Sequence, residues 1–214
     1  MAQPTVEKRV RRTQEERSAE TRGRLLDATI DCLIDLGYAA TTTTVIAERA
    51  GVSRGAQLHH YPTKAELVAA AVEHLTRRIG EDLLNEAARL PADDDRASAA
   101  VDLLWSQFST PLFPAWLELL VASRTDSDLR KHLLAVEERL RRAVQRQTLD
   151  VFGEETTTAP GFQLALDLTF SLMNGLALEQ ATAQADGRAR KRRQAELLAA
   201  WKRIIVDVLK ETPR

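Results

Sequence analysis

The sequence predicts an all-α protein of about nine helices, arranged as a three-helix N-terminal domain and a larger helical C-terminal domain. Ala, Leu, Glu, Arg and Gln dominate the composition, and aromatic residues make up only 5% of it. Apolar residues recur at spacings of three and four, and no segment between residues 17 and 210 alternates as a strand would. Hydrophobic residues make up 44% of the 214 residues, which is enough for a packed core.

Charge and cysteine content exclude several classes of protein. The 30 basic and 31 acidic side chains give a net charge of −1, which excludes a uniformly basic nucleic-acid coat and a long acidic tail. The single cysteine, Cys32, cannot form an intramolecular disulfide. No apolar run approaches the roughly 18 residues of a membrane span, and no signal-peptide core follows the charged N-terminus. We therefore expect a soluble cytoplasmic protein without a membrane partner.

The N-terminal segment is expected to form a polar arm and one long helix. Residues 1–15 are rich in basic side chains, and they form either a solvated tail or a flexible basic arm that contacts DNA phosphate. A helix is predicted over residues 17–36, because apolar residues recur there at helical spacing. Gly37 is predicted to supply the left-handed cap that ends this helix.

Residues 41–61 are predicted to form two very short helices. Thr41 is a good N-cap for the first helix and Gly51 ends it, while Ser53 is the N-cap of the second. A long helix follows over residues 64–90, and we expect it to connect the two domains.

The remaining sequence predicts five more helices. Prolines, glycines and short polar turns mark their ends. They are expected over residues 96–108, 111–124, 126–152 and 160–185, with a polar loop over 153–159 and a last helix that reaches Leu209.

The two short helices carry the most informative pattern. Neither helix buries enough surface alone, and the turn Gly51-Val52-Ser53 joins them as a helix-turn-helix in which the first helix braces the second. The sharp turn needs a residue that tolerates positive φ, which Gly51 supplies. The second helix carries mainly polar side chains, so it can lie in the major groove of DNA.

The segment from Gly37 to Leu67, GYAATTTTVIAERAGVSRGAQLHHYPTKAEL, resembles the DNA-binding domain of the TetR/AcrR family of bacterial transcriptional regulators. The chain length and the helix count also fit this family. The matching positions are Gly37-Tyr38, Thr41-Thr42, Ile46-Ala47, Ala50-Gly51-Val52-Ser53, Gly55, His59-His60-Tyr61, Lys64 and Leu67.

The resemblance implies DNA contacts from both short helices and the start of the next one. Thr42 and Thr43 would donate to phosphate at the positive helix end, or serve only as caps. His59, Tyr61 and Lys64 would hold the phosphate backbone, with a core position as the alternative for Tyr61. The implied DNA-binding residues are Thr42, Thr43, Ser53, Arg54, Gly55, Gln57, His59, His60, Tyr61 and Lys64.

Base readout is implied for the second short helix. Arg54 would contact guanine and Gln57 would contact adenine. This chain departs from the family here, because the family often has Leu-Tyr where this chain has Gln57-Leu58. Either Gln57 provides the polar readout, or Leu58 packs inward or against a thymine methyl. A metal-binding pair at His59 and His60 is not expected, since adjacent helical residues point about 100° apart.

The resemblance also implies the organisation of the chain. The DNA-binding domain would cover residues 16–63 with its motif at 41–60, residues 64–90 would connect, and residues 91–214 would bind a ligand and form a dimer. The apolar stripes of the last two helices, about residues 160–210, are wider than one neighbour covers, which predicts a homodimer. The candidate ligand-binding residues, for which simple core positions are the alternative, are Trp105, Phe108, Trp116, Phe170, Met173 and Asn174.

The sequence therefore predicts a sequence-specific DNA-binding transcriptional regulator, a repressor that a small-molecule ligand releases from its operator. The alternatives are a DNA-bound regulator controlled by a protein partner and a helical small-molecule binding protein. No enzyme is expected, because the sequence lacks the nucleophile, phosphate-loop, zinc-protease and dithiol motifs of common enzymes. No cofactor and no metal ion are expected.

Overall fold

The computed structural model describes residues 13–91, 95–110, 112–158, 161–182 and 187–210. Over these ranges the chain forms nine α-helices and no strand, which confirms the predicted all-α class. No helix within them is long and apolar enough to cross a membrane. The helices are α1 (Gln14–Ala40), α2 (Thr43–Ala50), α3 (Arg54–His60), α4 (Lys64–Ala87), α5 (Arg96–Phe108), α6 (Leu112–Ser123), α7 (Ser127–Thr157), α8 (Phe162–Ala181) and α9 (Gly187–Lys210).

Helix α1 begins earlier than the periodicity predicts. Thr13 is its N-cap and forms a capping box with Glu16, each side chain accepting from the other residue's backbone N–H. The helix therefore includes two residues that the sequence assigned to the arm, Gln14 and Glu15. The rest of the predicted arm, residues 1–12, lies outside the described residues.

The chain turns sharply at the end of α1 and again between α2 and α3. Gly37 has a φ of 73° and a ψ of 172°, so its positive φ is as predicted, but the conformation is not the left-handed helical one. The predicted cap at Thr41 is wrong by one residue: Thr42 is the N-cap of α2, and the buried Thr41 hydroxyl donates to the Gly37 carbonyl at 2.7 Å. Gly51 adopts the left-handed conformation, as predicted.

The second half of the chain differs from the prediction mainly in where helices end. Helix α7 continues to Thr157, through the segment predicted as a polar loop. Polar composition does not by itself separate a loop from a helix, because an α-helix can also be built largely of polar residues. Helix α8 begins at Phe162 and ends at Ala181, inside the predicted bounds.

Three clusters of buried side chains hold the helices together. The first joins α1, α2 and α4 around Leu25, Ile46 and Leu67. The second joins α1 and α4 to α6 and α7, so it ties the helix-turn-helix segment to the C-terminal helices. The third joins α5, α8 and α9 around Met173 and Trp201.

Candidate nucleic-acid interface and apolar cavity

Helix α3 presents one exposed face. Arg54, Gly55, Leu58 and His59 are exposed, and the apolar side chain of Leu58 is 44% exposed. No atom lies within 4 Å of the position that a Cβ would take at Gly55. Residues three apart share a helix face. Because Gly55 has no side chain, the backbone of α3 is accessible beside Leu58.

Of the two alternatives that the sequence leaves open, base readout by Gln57 would require this side chain to leave the interior of the protein. Its side chain is fully buried, and Nε2 donates to the Tyr61 carbonyl at 2.6 Å. The buried Oε1 atom has no hydrogen-bond partner in the described part of the chain. One step along a helix turns the side chain by about 100°, so Gln57 points into the protein while Leu58 points out.

Two of the predicted phosphate contacts have structural roles. Thr42 accepts the Val45 N–H at 3.2 Å as the cap of α2. The half-buried Tyr61 packs against the first cluster of buried side chains, and burial raises its pKa. Thr42 is nevertheless exposed, whereas Thr43 is partly buried.

Ser53 and Arg54 mark the start of α3. The Ser53 hydroxyl accepts the Ala56 N–H at 3.2 Å, as predicted for the N-cap. The Arg54 guanidinium donates to the Thr44 hydroxyl at 3.2 Å on the solvent side. The partly buried His60 ring packs edge-on against His59, and burial lowers the pKa of His60. Within the described residues no group of three or more metal-ligating side chains is close enough to hold a metal ion.

Lys64 points inward rather than towards the α3 face. Its ammonium donates to the Tyr38 carbonyl at 2.6 Å and lies 3.7 Å from the centroid of the Tyr38 ring. Burial lowers the pKa of Lys64. The predicted phosphate contact would require this ammonium to leave Tyr38.

Tyr38 connects the helix-turn-helix segment to the C-terminal helices. Its backbone N–H donates to Glu118 of α6 at 2.8 Å, and its hydroxyl donates to Asp126, just before α7, at 3.0 Å. Burial and the hydrogen bond to Asp126 raise the pKa of Tyr38 to about 12, so this hydroxyl remains a donor. We call these four residues, Tyr38, Lys64, Glu118 and Asp126, the Tyr38 junction.

Gly37 makes the Tyr38 junction possible, and its replacement by alanine is expected to destabilise the fold. The observed φ and ψ belong to a region that is open almost only to glycine, at a cost of about 1–3 kcal/mol for other residues. A Cβ would also lie 2.5 Å from a Glu118 carboxylate oxygen. Urea denaturation of Gly37→Ala should therefore show a free energy of unfolding lower by at least about 1–3 kcal/mol.

The matched control for this variant is Gly23→Ala on the same helix. No atom lies within 4 Å of the Cβ position at Gly23, and alanine is favoured over glycine in a helix by up to about 1 kcal/mol. Gly23→Ala should be neutral or stabilising. Equal unfolding free energies for the two variants would contradict the strained geometry at Gly37.

An apolar cavity of about 360 Å³ is lined by helices of both the N-terminal and the C-terminal half of the chain. Helix α1 contributes Ile30 and Leu33 to its wall, and α4 contributes four residues from Val72 to Ile79. The remaining wall comes from α5, α6, α8 and the turn after α5. The aromatic lining residues are Phe108, Phe113, Trp116 and Phe170.

The structure separates the six candidate ligand-binding residues into two groups. Phe108, Trp116, Phe170 and Asn174 line the cavity. Trp105 and Met173 do not: Met173 is fully buried in the third cluster, and Trp105 packs against that cluster. A ligand that occupies only this cavity would therefore not contact Trp105 or Met173.

An apolar stripe on α8 is exposed to solvent. Leu164, Leu168 and Leu178 are 58%, 43% and 48% exposed, and Gly175 on the same face has no atom within 4 Å of its Cβ position. Most of the apolar stripe of α9 is covered instead, because Leu198, Trp201 and Ile205 pack into the third cluster. Among the side chains of this stripe that the structure describes, Ile204 is exposed, at 49%.

Sequence reasoning did not predict the contacts of Glu118 and Asp126 with Tyr38, which complete the Tyr38 junction. The contacts join residues that are 80 and 88 positions apart in the chain. Such separations leave no periodic signal in one sequence. Of the residues in and beside the Tyr38 junction, Gly37, Tyr38 and Lys64 stood out, as part of the resemblance.

Comparison with known proteins gives matches in both sequence and fold. The family model for bacterial regulatory proteins of the tetR family matches residues 25–71. The HTH-type transcriptional regulator CymR of Pseudomonas putida is 36% identical over 168 residues, which cover 78% of this chain and 83% of CymR.

Two solved structures share the fold over most of their length. A transcriptional regulator from Pseudomonas aeruginosa PAO1 has a TM-score of 0.65 and 25% identity, covering 91% of this chain and 97% of that one. A regulator from Saccharomonospora viridis, solved in complex with choline, has a TM-score of 0.60 and 18% identity, covering 90% of this chain and 97% of that one.

Proposed function

Because the chain belongs to the tetR family of bacterial regulatory proteins, we propose that it is a repressor that leaves its operator when a small molecule occupies the apolar cavity. The observation that carries this proposal is the shared cavity wall. Ile30 and Leu33 of α1 line the cavity together with residues of α5, α6 and α8. A molecule in the cavity therefore touches the helix that supports α2 and α3.

The exposed face of α3 supports a specific role in reading DNA. Arg54 and His59 can donate to base edges or phosphate, and Gly55 allows the helix backbone to approach the groove closely. Since Leu58 is exposed and Gln57 is buried, Leu58 is the residue that contacts the bases beside Gly55. A thymine methyl is the apolar group that the major groove offers to such a side chain.

The contact between Leu58 and thymine predicts a methyl-dependent affinity. Each buried methyl contributes about 0.8 kcal/mol, or about fourfold in affinity. An operator chosen by the protein from random DNA should bind about fourfold more weakly for each contacted thymine that is replaced by deoxyuridine, as measured by fluorescence anisotropy. The Leu58→Ala variant should bind both DNAs equally.

The matched control is Leu134→Ala, which truncates an exposed leucine on α7. It should retain the preference for thymine over deoxyuridine. If no thymine of the operator is methyl-sensitive, or if the sensitivity persists in Leu58→Ala, the proposed contact is wrong.

Regulators of this family bind operator DNA as dimers, and the exposed stripe of α8 is the proposed interface. Leu164, Leu168 and Leu178 would pack against the same residues of a second copy, as the two-fold symmetry of a dimer requires. Gly175 lies on this stripe, where its missing side chain allows two helices to approach closely. The second copy would place two α3 helices about one DNA turn apart, roughly 34–36 Å.

Small-molecule control is supported by the cavity and by one neighbour of the same fold. The cavity volume of about 360 Å³ falls within the usual range of small-molecule sites, about 300–1,000 Å³. The Saccharomonospora viridis regulator holds choline. The test is whether a molecule that binds the free protein also weakens its binding to the selected operator, measured by anisotropy at constant salt.

A further inference from the structure

The chemistry of the cavity wall restricts which molecules it can hold, and this restriction rests on the proposed function. None of the described lining residues carries a charge. Transferring an isolated carboxylate or ammonium out of water costs far more than apolar contacts return, unless a partner charge compensates it. The described wall offers no such partner.

The polar groups of the wall are mainly hydrogen-bond acceptors. The Thr76 hydroxyl donates its proton to the Val72 carbonyl at 2.8 Å, and the Thr110 hydroxyl donates to the Gln107 carbonyl at 2.9 Å. A carbonyl can only accept, so each threonine hydroxyl has spent its single proton and offers lone pairs to a ligand.

The two amide side chains add acceptors of the same kind. Asn174 donates from Nδ2 to the Phe170 carbonyl at 2.8 Å, and Gln107 donates from Nε2 to the Ser106 hydroxyl at 3.3 Å. Each amide keeps its carbonyl oxygen and one N–H for other partners. Together with the threonines, the wall therefore offers four acceptor groups against three donors, of which the third is the indole N–H of Trp116.

We propose that the cavity binds an uncharged, mainly apolar molecule that carries a hydrogen-bond donor, in the class of alcohols and phenols. Aromatic rings from three helices favour a phenol, because Phe108, Trp116 and Phe170 line the cavity and can stack against or meet the edge of its ring. The volume of about 360 Å³ lies near the lower end of the usual range of small-molecule sites, which suits a small molecule with a single ring.

A matched set of four probes tests the proposal: 4-butylphenol, 4-butylanisole, 4-butylbenzoate and 4-butylbenzylamine at neutral pH. These have the same apolar body and differ in whether they carry a donor, no donor, a negative charge or a positive charge. Isothermal titration calorimetry with the full-length protein should rank the phenol as the tightest binder. The ether should follow, about two- to tenfold weaker for one lost hydrogen bond, and both charged probes should be weaker still.

A double variant identifies the acceptors. Thr76→Val with Thr110→Val keeps the shape of both side chains but removes both hydroxyls, so it should weaken the phenol by about two- to tenfold and leave the ether unchanged. Thr125→Val is the control, because Thr125 makes the same kind of bond to a helix carbonyl at an exposed site outside the cavity. Its affinity for the phenol should equal that of the unmodified protein.

Several results would overturn the proposal. The benzoate or the amine could bind more tightly than the phenol. The phenol and the ether could bind equally, which would show that the acceptors have no role. Finally, no phenol or anisole with a 4-ethyl, 4-propyl or 4-butyl group could bind. Binding is measured without DNA, so a phenol that binds but fails to release operator would contradict the proposed function and leave the ligand class standing.

Discussion

Replacing Leu168 and Leu178 of α8 by glutamate is expected to convert the protein to a monomer and to remove operator binding at the same time. Both leucines are exposed on the single chain, so the substitutions leave the helix and its inner contacts intact. In a dimer they would bury two unpaired carboxylates per subunit at an apolar contact, which is strongly unfavourable.

The loss of DNA affinity follows from the loss of the second reading helix. Two half-sites that are read by one dimer act as linked sites, and linkage raises overall affinity by about 10²–10⁴. The double variant should therefore bind operator more weakly by about that factor. Light scattering measures the mass of the variant in solution, and anisotropy measures its affinity for operator.

The control is Leu134→Glu, which places the same charge at an exposed leucine on α7. It should remain dimeric and bind operator normally. A double variant that stays dimeric, or a monomer that binds operator as tightly as the unmodified protein, would contradict the proposed interface. Ile205 is unsuitable for this experiment, because it is buried in the third cluster and a glutamate there would disturb the fold itself.

The second large effect concerns the connection between the cavity and α3. Helix α6 lines the cavity through Phe113, Trp116 and Leu119, and through Glu118 it holds the Tyr38 backbone. Tyr38 lies in the last turn of α1, close in sequence to the start of α2 at Thr43, so a ligand that displaces α6 also acts on the helix-turn-helix segment. A ligand shifts this equilibrium only if it binds one arrangement better than the other.

We expect Glu118→Ala to reduce the effect of ligand on operator affinity. Single changes along a coupling route alter the coupling by about 0.5–2 kcal/mol, so the ligand-induced loss of operator affinity should shrink by about two- to thirtyfold. Glu118→Gln should restore most of the effect, because its amide oxygen can still accept the Tyr38 N–H. Anisotropy titrations with and without 4-butylphenol measure this quantity.

An exposed carboxylate away from the Tyr38 junction serves as the control. Glu81 lies on the solvent side of α4, and Glu81→Ala should behave as the unmodified protein does. If Glu118→Ala keeps the full ligand effect while binding ligand and operator normally, the coupling does not pass through Glu118.

The fold could be predicted from the sequence because its signals are local. Helical periodicity, the positive φ of Gly37 and Gly51, and the cap at Ser53 each depend on residues within a few positions of one another. The errors are local as well. Thr41 and Thr42 are equally good caps by type, and the structure uses Thr42 because the Thr41 hydroxyl bonds to the Gly37 carbonyl.

The candidate site was only partly predictable, because orientation and long-range contacts decide it. Gln57 is a polar residue on a short helix, and nothing in its neighbours indicates that it bonds to the Tyr61 carbonyl and leaves Leu58 outside. Lys64 likewise is of a residue type that commonly contacts phosphate, yet its ammonium donates to the Tyr38 carbonyl. Met173 and Phe170 are both apolar residues of α8, and only packing shows that Phe170 lines the cavity whereas Met173 does not.

The most direct test of ligand-controlled DNA binding is a calorimetric comparison of one ligand with two forms of the protein. 4-Butylphenol would be titrated into the free dimer and into the dimer saturated with its selected operator. Coupling between two sites is reciprocal and amounts typically to about 5–150-fold, so the operator-bound form should bind the phenol more weakly by a factor in that range. Equal affinities for the free and the operator-bound dimer would contradict the account.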